Sequence, residues 1–354
     1  MISSMASISD LLKGEKSLQV LQADAERLGR KYAVFLVDHG RASRSTHKFW
    51  WNHFEDAARV LGIPCWRVSK ASETWPTDHR REGRRGVYLF FTRRSLYHDR
   101  WCIFRSVRRE AIRPEDIVAS WDPRVMDELN HAHAFLIGFR GGAWMSLPGL
   151  PDSRQIVYWE PFAPLSAVEK GARDAGRAPA WDFSYFGSLN PYNYDQFRRI
   201  LQPLAARHRC QYAGKLWRVA SLVPLRYGFR PFLLSEDRGL EILLQGRVNL
   251  VLHNDYHRRT RTLTERFFIS AALGRPVVCD NAGAWRYFSQ EEVPVADDPE
   301  TFLALCEDSL RNLRQRREIA REVQKKILRH NTYLHTVVQL LTELDGKASS
   351  QGGV

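Results

Sequence analysis

Residues 240–288 contain two short apolar runs separated by a basic loop and a helical pattern. The first run, Val248 to Leu252, and the second, Pro276 to Cys279, have the length and apolar content of buried strands. A helix is predicted to begin near Thr264, between them. This strand–helix–strand order predicts a parallel sheet, and it brings the basic loop and the helix N-terminus to the same place.

The residues around this predicted helix start are suited to bind a phosphate. The N–H groups and the positive dipole end of a helix N-terminus attract anions. Arg258, Arg259, Arg261 and Arg266 add charged hydrogen-bond donors. Glu265 is an acid among these bases, and its carboxylate is expected to accept hydrogen bonds from sugar or ribose hydroxyls. Several cations and one carboxylate fit a nucleotide-diphosphate sugar better than a bare phosphate.

Several motifs carry a family resemblance. They are NLVLH, RTLTE, AALGRPVV, WRYF, EEVPVAD and NTYLH, preceded by FSYFGSLNPYNYDQFRRIL. Over roughly Asp182 to Leu341 they resemble the sugar-donor half of GT-B glycosyltransferases, and most closely the CgeB-like (spore maturation protein type) group. The resemblance implies an α/β protein with a GT-B fold, in which two Rossmann-like doubly wound domains face each other across a cleft. It also implies a glycosyltransferase of the hexosyltransferase type.

The chain departs from this family at one position. The family's acid lies five residues before the glycine, where this chain has Ile269. Glu265 lies one helical turn earlier, and the sequence LTER around it resembles the Thr-Glu-basic motif of α-1,3-fucosyltransferases. The resemblance therefore offers Glu265 in place of the missing acid.

The resemblance also implies the residues that bind the nucleotide sugar. They are Gly187, Ser188, Lys215, Arg218, His253, Arg261, Thr264, Glu265 and Arg266. The alternatives are an ordinary tight turn at Gly187 and Ser188, a solvated face at Lys215 and Arg218, and a structural role for His253.

Asp38 and His39 follow the predicted strand Tyr32 to Val37, and under this fold they face the acceptor. As catalytic residues they would remove the acceptor hydroxyl proton if the reaction inverts the anomeric centre. In a retaining reaction the leaving diphosphate takes that proton, and a capping pair is the structural alternative for Asp38 and His39. The chain has no Asp-x-Asp sequence, so neither a metal nor another cofactor is expected.

The length of 354 residues predicts two domains. The first is an acceptor-binding Rossmann-like domain over 1–165, followed by a polar linker over 166–180. The second binds the nucleotide sugar and covers 181–330. Residues 331–354 are predicted to form a C-terminal helix that crosses back to the first domain, followed by a flexible tail.

The formal net charge of +13 is concentrated in one segment. Arg80 to Arg113 contains eleven arginines and three acids. The segment is either a solvated surface or a contact for an acidic partner: an anionic membrane surface, an anionic or lipid-linked glycan, or DNA. The five scattered cysteines and the absence of a signal-peptide pattern or a long apolar run favour the cytoplasm, with peripheral contact at the inner membrane face as an option.

Three functions remain at this stage. The first is transfer of a sugar to a hydroxyl of an acidic or membrane-associated glycan, the second is transfer to modified bases of DNA, and the third is binding without catalysis on a GT-B fold. The sequence leaves the sugar, the nucleotide base and the oligomeric state open.

Overall fold

A computed structural model describes residues 16–38, 46–69, 76, 78–90, 112–121, 131–138, 155–174, 176–189, 193–215, 223–231 and 236–351. The chain forms two compact units. Among the described residues, one unit is the continuous stretch Pro161–Thr332. The other combines the described residues up to Glu160 with those from Tyr333 onward.

The discontinuous unit contains a parallel sheet with the strand order β2-β1-β3-β4-β5-β6. The strands are β1 (Tyr32–Asp38), β2 (Cys65–Ser69), β3 (Arg85–Phe90), β4 (Ile117–Ser120), β5 (Ala134–Gly138) and β6 (Ile156–Tyr158). Its helices in the described ranges before β6 are α1 (Lys16–Lys31), α2 (Thr46–Val60) and the short α3 (Asp78–Arg81). The strands are nearly continuous apolar runs because both faces of a parallel sheet are covered. On one face Phe35 stacks on Trp66 and Tyr88, with ring centroids 5.4 and 4.7 Å apart.

The last helix of the chain, α12 (Tyr333–Gln351), completes this unit. Asp345 accepts a hydrogen bond of 2.6 Å from the hydroxyl of Tyr32 at the start of β1. The hydroxyl of Thr336 donates to the carbonyl oxygen of Glu160 at 2.7 Å. The helix is therefore hydrogen-bonded to the first part of the chain near both of its ends.

The continuous unit contains a second parallel sheet with the order β11-β10-β7-β8-β9. The strands are β7 (Trp181–Phe186), β8 (Cys210–Gly214), β9 (Phe229–Pro231), β10 (Gly246–Val251) and β11 (Val277–Cys279). Its helices are α4 (Leu165–Arg173), α5 (residues 194–207, with a π-helical segment at Phe197–Leu201), α6 (Val223–Arg226), α7 (Glu236–Leu244), α8 (Asp255–Arg259), α9 (Glu265–Ala272), α10 (Pro299–Arg311) and α11 (Leu313–His330). A 3₁₀ turn spans Ala282–Arg286.

Each face of this sheet carries its own apolar core. One core joins the strands to α4, α7, α9 and α11 through residues such as Val168, Leu243, Phe268 and Ile327. The other joins them to α5 and α10 through residues such as Phe197 and Phe302. Helices on both faces of a parallel sheet define a doubly wound layer.

Two predicted boundaries are wrong. Residues 166–180 were expected to be an exposed linker, but α4 forms there and buries Leu165, Val168 and Gly171. Its small residues look like a linker in sequence, yet they allow close packing: a methyl group on Gly171 would overlap the carbonyl oxygen of Ala272.

The second error concerns the C-terminal tail. A C-terminal helix was expected from residue 331, and α12 begins at Tyr333, after α11 ends at His330. Asn331 ends α11, and its carbonyl oxygen accepts a hydrogen bond of 2.9 Å from the N–H of Ala163. The segment expected to be a flexible tail is helical as far as Gln351.

Some predicted features lie outside the described residues: His39, Arg218 and most of the arginine-rich segment. No helix within the described ranges is long and apolar enough to cross a membrane.

Candidate active site

Four neighbouring strands of the continuous unit end at one edge of the sheet. In the order β11, β10, β7 and β8 they are followed by Asp280, His253, Gly187 and Lys215. The carboxyl ends of parallel strands meet at the same edge, and this edge is where ligands bind in open α/β sheets. The candidate site is built from these strand ends and from the N-terminus of α9.

Two glycines allow the ends of β7 and β8 to lie against each other. The N–H of Gly187 donates to the carbonyl oxygen of Ala213 at 2.9 Å. A methyl group on Gly214 would overlap the carbonyl group of Gly187. Both glycines are buried, so the two strand ends pack backbone against backbone without room for a larger residue. Lys215 follows directly and is exposed.

The guanidinium of Arg266 lies over Gly187. Nη1 of Arg266 donates to the hydroxyl of Tyr185 at 3.4 Å, and a methyl group on Gly187 would overlap that same nitrogen. Arg266 is half-buried in the first turn of α9. A cation is thus fixed above the Gly187 backbone at the carboxyl edge.

A buried Asp–His pair lies beneath this cation. Asp280 accepts the backbone N–H of His253 at 2.9 and 3.0 Å, and its Oδ1 lies 2.8 Å from Nδ1 of the same histidine. Gln196 donates its amide to Oδ2 of Asp280 at 2.7 Å and to the carbonyl oxygen of His253 at 2.6 Å. Both members of the pair are at most 1% exposed. These donors compensate for burying the carboxylate.

The pair also positions the start of α9. Nε2 of His253 faces the backbone N–H of Thr264 at 3.4 Å, so Nδ1 carries the proton and Nε2 accepts. Thr264 is the N-cap residue, but its side chain makes no capping hydrogen bond. Its Oγ1 is buried and has no hydrogen-bond partner in the described structure.

The loop before α9 is pinned by two side chains. Asn281 donates its amide to the carbonyl oxygens of His257 at 3.0 Å and Thr262 at 2.9 Å. Nη2 of Arg286 donates to the carbonyl oxygen of Arg261 at 2.6 Å. Arg261 adopts a left-handed conformation with φ 52°, which is unfavourable for a residue with a side chain. The network holds this loop in a strained turn beside the site.

His257 is kept neutral by its surroundings. Burial, followed by the charges of His253 and Arg266, lowers the pKa of His257 to about 4. Its Nδ1 is buried without a hydrogen-bond partner in the described structure. A neutral imidazole beside Arg266 avoids adding a second cation to the site.

The predicted binding residues fall into distinct positions. The structure brings together Gly187, Thr264 and Arg266, and it places His253 in the layer beneath them. Glu265 is half-buried at the first residue of α9, whereas the side chains of Lys215 and Arg261 are exposed. The carbonyl oxygen of Ser188 accepts a hydrogen bond of 2.8 Å from Asn193. Asp38 ends β1 in the other unit, and its side chain lies outside the described residues.

Sequence reasoning missed Asp280, Gln196 and Tyr185. Asp280 could have been found, because it follows β11 as His253 follows β10, and these strands are adjacent in the sheet. Gln196 and Tyr185 could not be found from the sequence, because the sequence does not specify which side of their helix or strand faces the site.

His253, Cys279 and Asp280 also lie close enough to resemble a metal-ligand set. Burial, and then the charge of Asp280, raises the pKa of the Cys279 thiol well above its usual value. In the described structure these atoms make hydrogen-bond contacts: Nδ1 of His253 lies 2.8 Å from Oδ1 of Asp280, and the Cys279 thiol lies 3.8 Å from the carbonyl oxygen of Asn281.

Comparison with known proteins agrees with this architecture. Residues 193–342 match the family model described as Glycosyl transferase-like. No curated protein matches the sequence. Three solved structures resemble the chain along most of its length.

Anabaena Alr3699/HepE, solved with UDP and glucose, gives a TM-score of 0.52 at 11% identity, covering 89% of this chain and 99% of that one. An O-GlcNAc transferase mutant from Thermobaculum terrenum gives 0.50 at 13% identity, covering 99% of this chain and 76% of that one. T4 phage BGT, solved with UDP and Mn²⁺, gives a TM-score of 0.50 at 10% identity, covering 91% of this chain and 99% of that one. With the two parallel sheets, these likenesses establish a GT-B fold of two Rossmann-like domains.

Proposed function

We propose that the protein is a glycosyltransferase that moves a sugar from a nucleotide-diphosphate donor to an acceptor hydroxyl. One observation carries the proposal: the Arg266 guanidinium lies over the backbone of Gly187, next to the start of α9. A cation and a helix N-terminus at the carboxyl edge of a doubly wound sheet suit a diphosphate. Two neighbours in fold, Anabaena Alr3699/HepE and T4 phage BGT, were solved with UDP, which supports a nucleotide ligand here.

Each residue of the candidate site has a proposed role. Arg266 and the backbone at Gly187 and Ser188 bind the diphosphate, and the hydroxyl of Thr264 donates to it. Glu265 accepts hydrogen bonds from ribose hydroxyls. His253 is a positioning residue, because it reaches the ligand only through Thr264. Lys215, Arg218 and Arg261 add positive charge around the same ligand.

In the proposed reaction, the bond between the anomeric carbon and the diphosphate oxygen breaks while the acceptor oxygen bonds to that carbon. The diphosphate leaves with the bonding electron pair. In an inverting reaction His39 or Asp38 takes the acceptor proton, whereas in a retaining reaction the leaving diphosphate takes it. We propose that Arg266 and the helix N-terminus balance the leaving charge, so that neither a divalent metal nor a resident cofactor is needed.

The acceptor is proposed to be an acidic or membrane-associated glycan, as expected for a CgeB-like transferase acting on hexosyl donors in the cytoplasm. The arginine-rich segment supports an acidic acceptor, although part of its charge is already paired. Arg84 pairs with Glu82, and Arg113 lies 3.4 Å from Glu115. DNA is the alternative acidic acceptor. A binding protein that lacks turnover is the second alternative.

The proposed site is tested by nucleotide binding to two variants. Arg266→Gln and Glu265→Ala should each weaken UDP binding at least about tenfold in calorimetry, because a charged hydrogen bond contributes about 1.5–3 kcal/mol. Arg199→Gln is the matched control, since Arg199 is more than half exposed in the same unit and pairs with Asp195. UDP affinity unchanged in both site variants would contradict the proposed site.

The acceptor proposal has a separate test. Replacing Arg84, Arg85, Arg93 and Arg94 with Gln should weaken acceptor binding while leaving UDP binding in place. Added salt should have the same effect on an acidic acceptor, and the salt dependence should be steepest for DNA. Wild-type acceptor kinetics in this variant at low salt would make the segment a solvated surface.

A further inference from the structure

A second group of arginines lies at the opposite edge of the same sheet. Arg275 precedes β11, whereas Asp280 of the candidate site follows it. Five residues of extended chain span about 17 Å. Strands β10 and β11 are parallel, and Asn249 is paired with Val277. Two residues before each of these, Arg247 is therefore next to Arg275. These arginines therefore belong to the amino-terminal edge and are separate from the proposed nucleotide site.

Helix α11 brings two more arginines to this edge. Arg317, Arg321 and Gln324 are spaced four and three residues apart, so they share one face of the helix. Gln324 donates its amide to the carbonyl oxygen of Ala272 at 2.8 Å and packs against Gly274. The same face of α11 thus lies on the turn that carries Arg275. We call Arg275, Arg317 and Arg321 the Arg275 cluster.

The Arg275 cluster contains no ion pair in the described structure. Arg247 pairs with Asp182 at 3.1 Å, and Arg177 pairs with Glu241 at 2.7 Å, so these two flanking arginines have carboxylate partners. The three members of the cluster make no such contact within 4 Å among the described residues. Asp174 acts on Arg275 only as a more distant charge.

Arg275 is the deepest member of the cluster. Arg275 is 6% exposed, and its Nη2 donates a hydrogen bond of 2.7 Å to the carbonyl oxygen of Arg177. Nε of Arg275 and Nε of Arg317 are buried without hydrogen-bond partners in the described structure. A cation in this position is costly unless an anion or further acceptors accompany it.

Burial and mutual repulsion lower the pKa of two of these guanidinium groups. Burial first, and then the charge of Arg317, lowers the pKa of Arg275. Burial, followed by Arg247 and Arg321, lowers the pKa of Arg317. The guanidinium groups are therefore close enough to interact, and a bound anion would relieve the repulsion.

We propose that the Arg275 cluster binds the phosphate group of a small molecule, as free phosphate or as a phosphomonoester. The three positive charges of the guanidinium groups exceed the two negative charges of a phosphate dianion, and the groups can bind it through paired N–H donors. The depth of Arg275 favours a small ligand, because a flat surface such as a bilayer cannot reach a side chain so little exposed. This site is independent of the proposed glycosyl transfer.

The test measures stabilisation of the full chain by inorganic phosphate and by glycerol 3-phosphate, at ionic strength matched with chloride. A ligand that binds only the folded state raises the melting temperature. Both probes should raise it for wild type, and a response to phosphate alone would identify free phosphate as the ligand. The Arg317→Gln/Arg321→Gln double variant should bind at least about tenfold more weakly. Without phosphate, the same variant should melt at a higher temperature than wild type, since the repulsion is reduced.

Arg314→Gln is the matched control, because Arg314 lies on the same helix, its side chain is 96% exposed and it pairs with Glu318. Arg266→Gln separates this site from the nucleotide site and should keep the phosphate response. Loss of the response in Arg266→Gln but not in the double variant would overturn the proposal. An equal response to phosphate in every variant would also overturn the proposal. The same holds if the protein does not respond to phosphate but is retained on anionic lipid vesicles in a way that depends on Arg317 and Arg321.

Discussion

At the scale of single residues, the missing side chain of Gly187 determines where Arg266 lies. A methyl group at this position would overlap the guanidinium and would come within 2.6 Å of the hydroxyl of Tyr185. Tyr185 is buried and cannot move without disturbing the core. Arg266 would therefore have to give way.

We predict that Gly187→Ala lowers UDP affinity about tenfold and destabilises the fold by about 1–3 kcal/mol. Gly176→Ala is the control, because a methyl group there meets nothing within 4 Å. Calorimetry with UDP and unfolding in urea measure the two effects. Equal UDP affinity in the two alanine variants would contradict the proposed role of Gly187.

Two histidines with lowered pKa values, the buried His53 and the half-buried His257, make folding sensitive to acid. Burial lowers the pKa of His53 to about 4, and burial with neighbouring charges lowers that of His257 to about 4. An unfolded histidine titrates near pH 6.5. Between these values the unfolded chain binds more protons than the folded one, so stability rises with pH from about 4 to about 6.5 and falls as the solution is acidified.

We predict that stability falls by on the order of 2–3 kcal/mol for each of these histidines as pH drops from 7 to 4. In the His257→Gln variant, the free energy of unfolding should fall less steeply as the pH drops from 7 to 4. Urea unfolding across that pH range measures this difference. His330→Gln is the control, because His330 is exposed near the end of α11. An unchanged pH profile in His257→Gln would show that His257 does not carry the effect.

At the scale of elements, α12 is attached to the discontinuous unit through Asp345. This carboxylate accepts the Tyr32 hydroxyl and pairs with Lys31 and with Arg27, the latter at 3.3 Å. Tyr32 is fully buried, and its pKa is raised by burial and by the hydrogen bond to Asp345. Removing the carboxylate would leave a buried hydroxyl without its acceptor.

We predict that Asp345→Ala destabilises this unit by about 1–3 kcal/mol, the usual cost of an unsatisfied buried polar group. Asp24→Ala should change stability by less than about 0.5 kcal/mol, because exposed pairs contribute little. Asp24 is half-exposed and lies 3.5 Å from Arg27. Similar losses in the two variants, measured by urea unfolding, would be inconsistent with a specific role for Asp345.

Most strands could be predicted from the sequence because they are short, nearly continuous apolar runs. The run at 32–37 became β1, and the run at 248–252 became β10 within two residues. Helix α4 could not be predicted, because its buried residues include alanine and glycine, whose packing depends on partners distant in sequence. The break between α11 and α12 coincides with a hydrogen bond from the N–H of Ala163 to the carbonyl oxygen of Asn331.

The candidate site was only partly predictable. The helix start at Thr264 and its neighbour Arg266 follow from local signals such as the basic loop and the apolar pattern. The burial of His253 does not, since it depends on Asp280, which is 27 residues away along the chain. A strand-end histidine can face a ligand or the protein interior, and only the neighbouring strand decides between them.

At the scale of the whole molecule, the described part of the chain passes between the two units twice, at Glu160–Pro161 and at Thr332–Tyr333. Within the described residues, one unit is therefore a single stretch, whereas the other needs residues from before and after that stretch. We predict that a chain truncated after Thr332 keeps the continuous unit folded and loses the structure of the other unit, whose β1 and β6 contact α12.

Hydrogen exchange measures this difference directly. Amides in β7, β8 and β10 should keep their protection in the truncated chain, whereas amides in β1 and β3 should exchange rapidly. A shorter truncation after Gln351 leaves α12 intact and serves as the control. Retained protection of β1 and β3 after removal of α12 would show that the helix is dispensable.

The position of α12 in the chain also bears on how the protein is made. A ribosome releases the residues of β1 to β6 first, yet they lack their last helix until the final residues of the chain emerge. Domains usually fold in the order of their synthesis. Here the middle of the chain can complete its fold first, so the nascent N-terminal strands must wait with apolar surface exposed, and chaperones would have the longest access to that part of the protein.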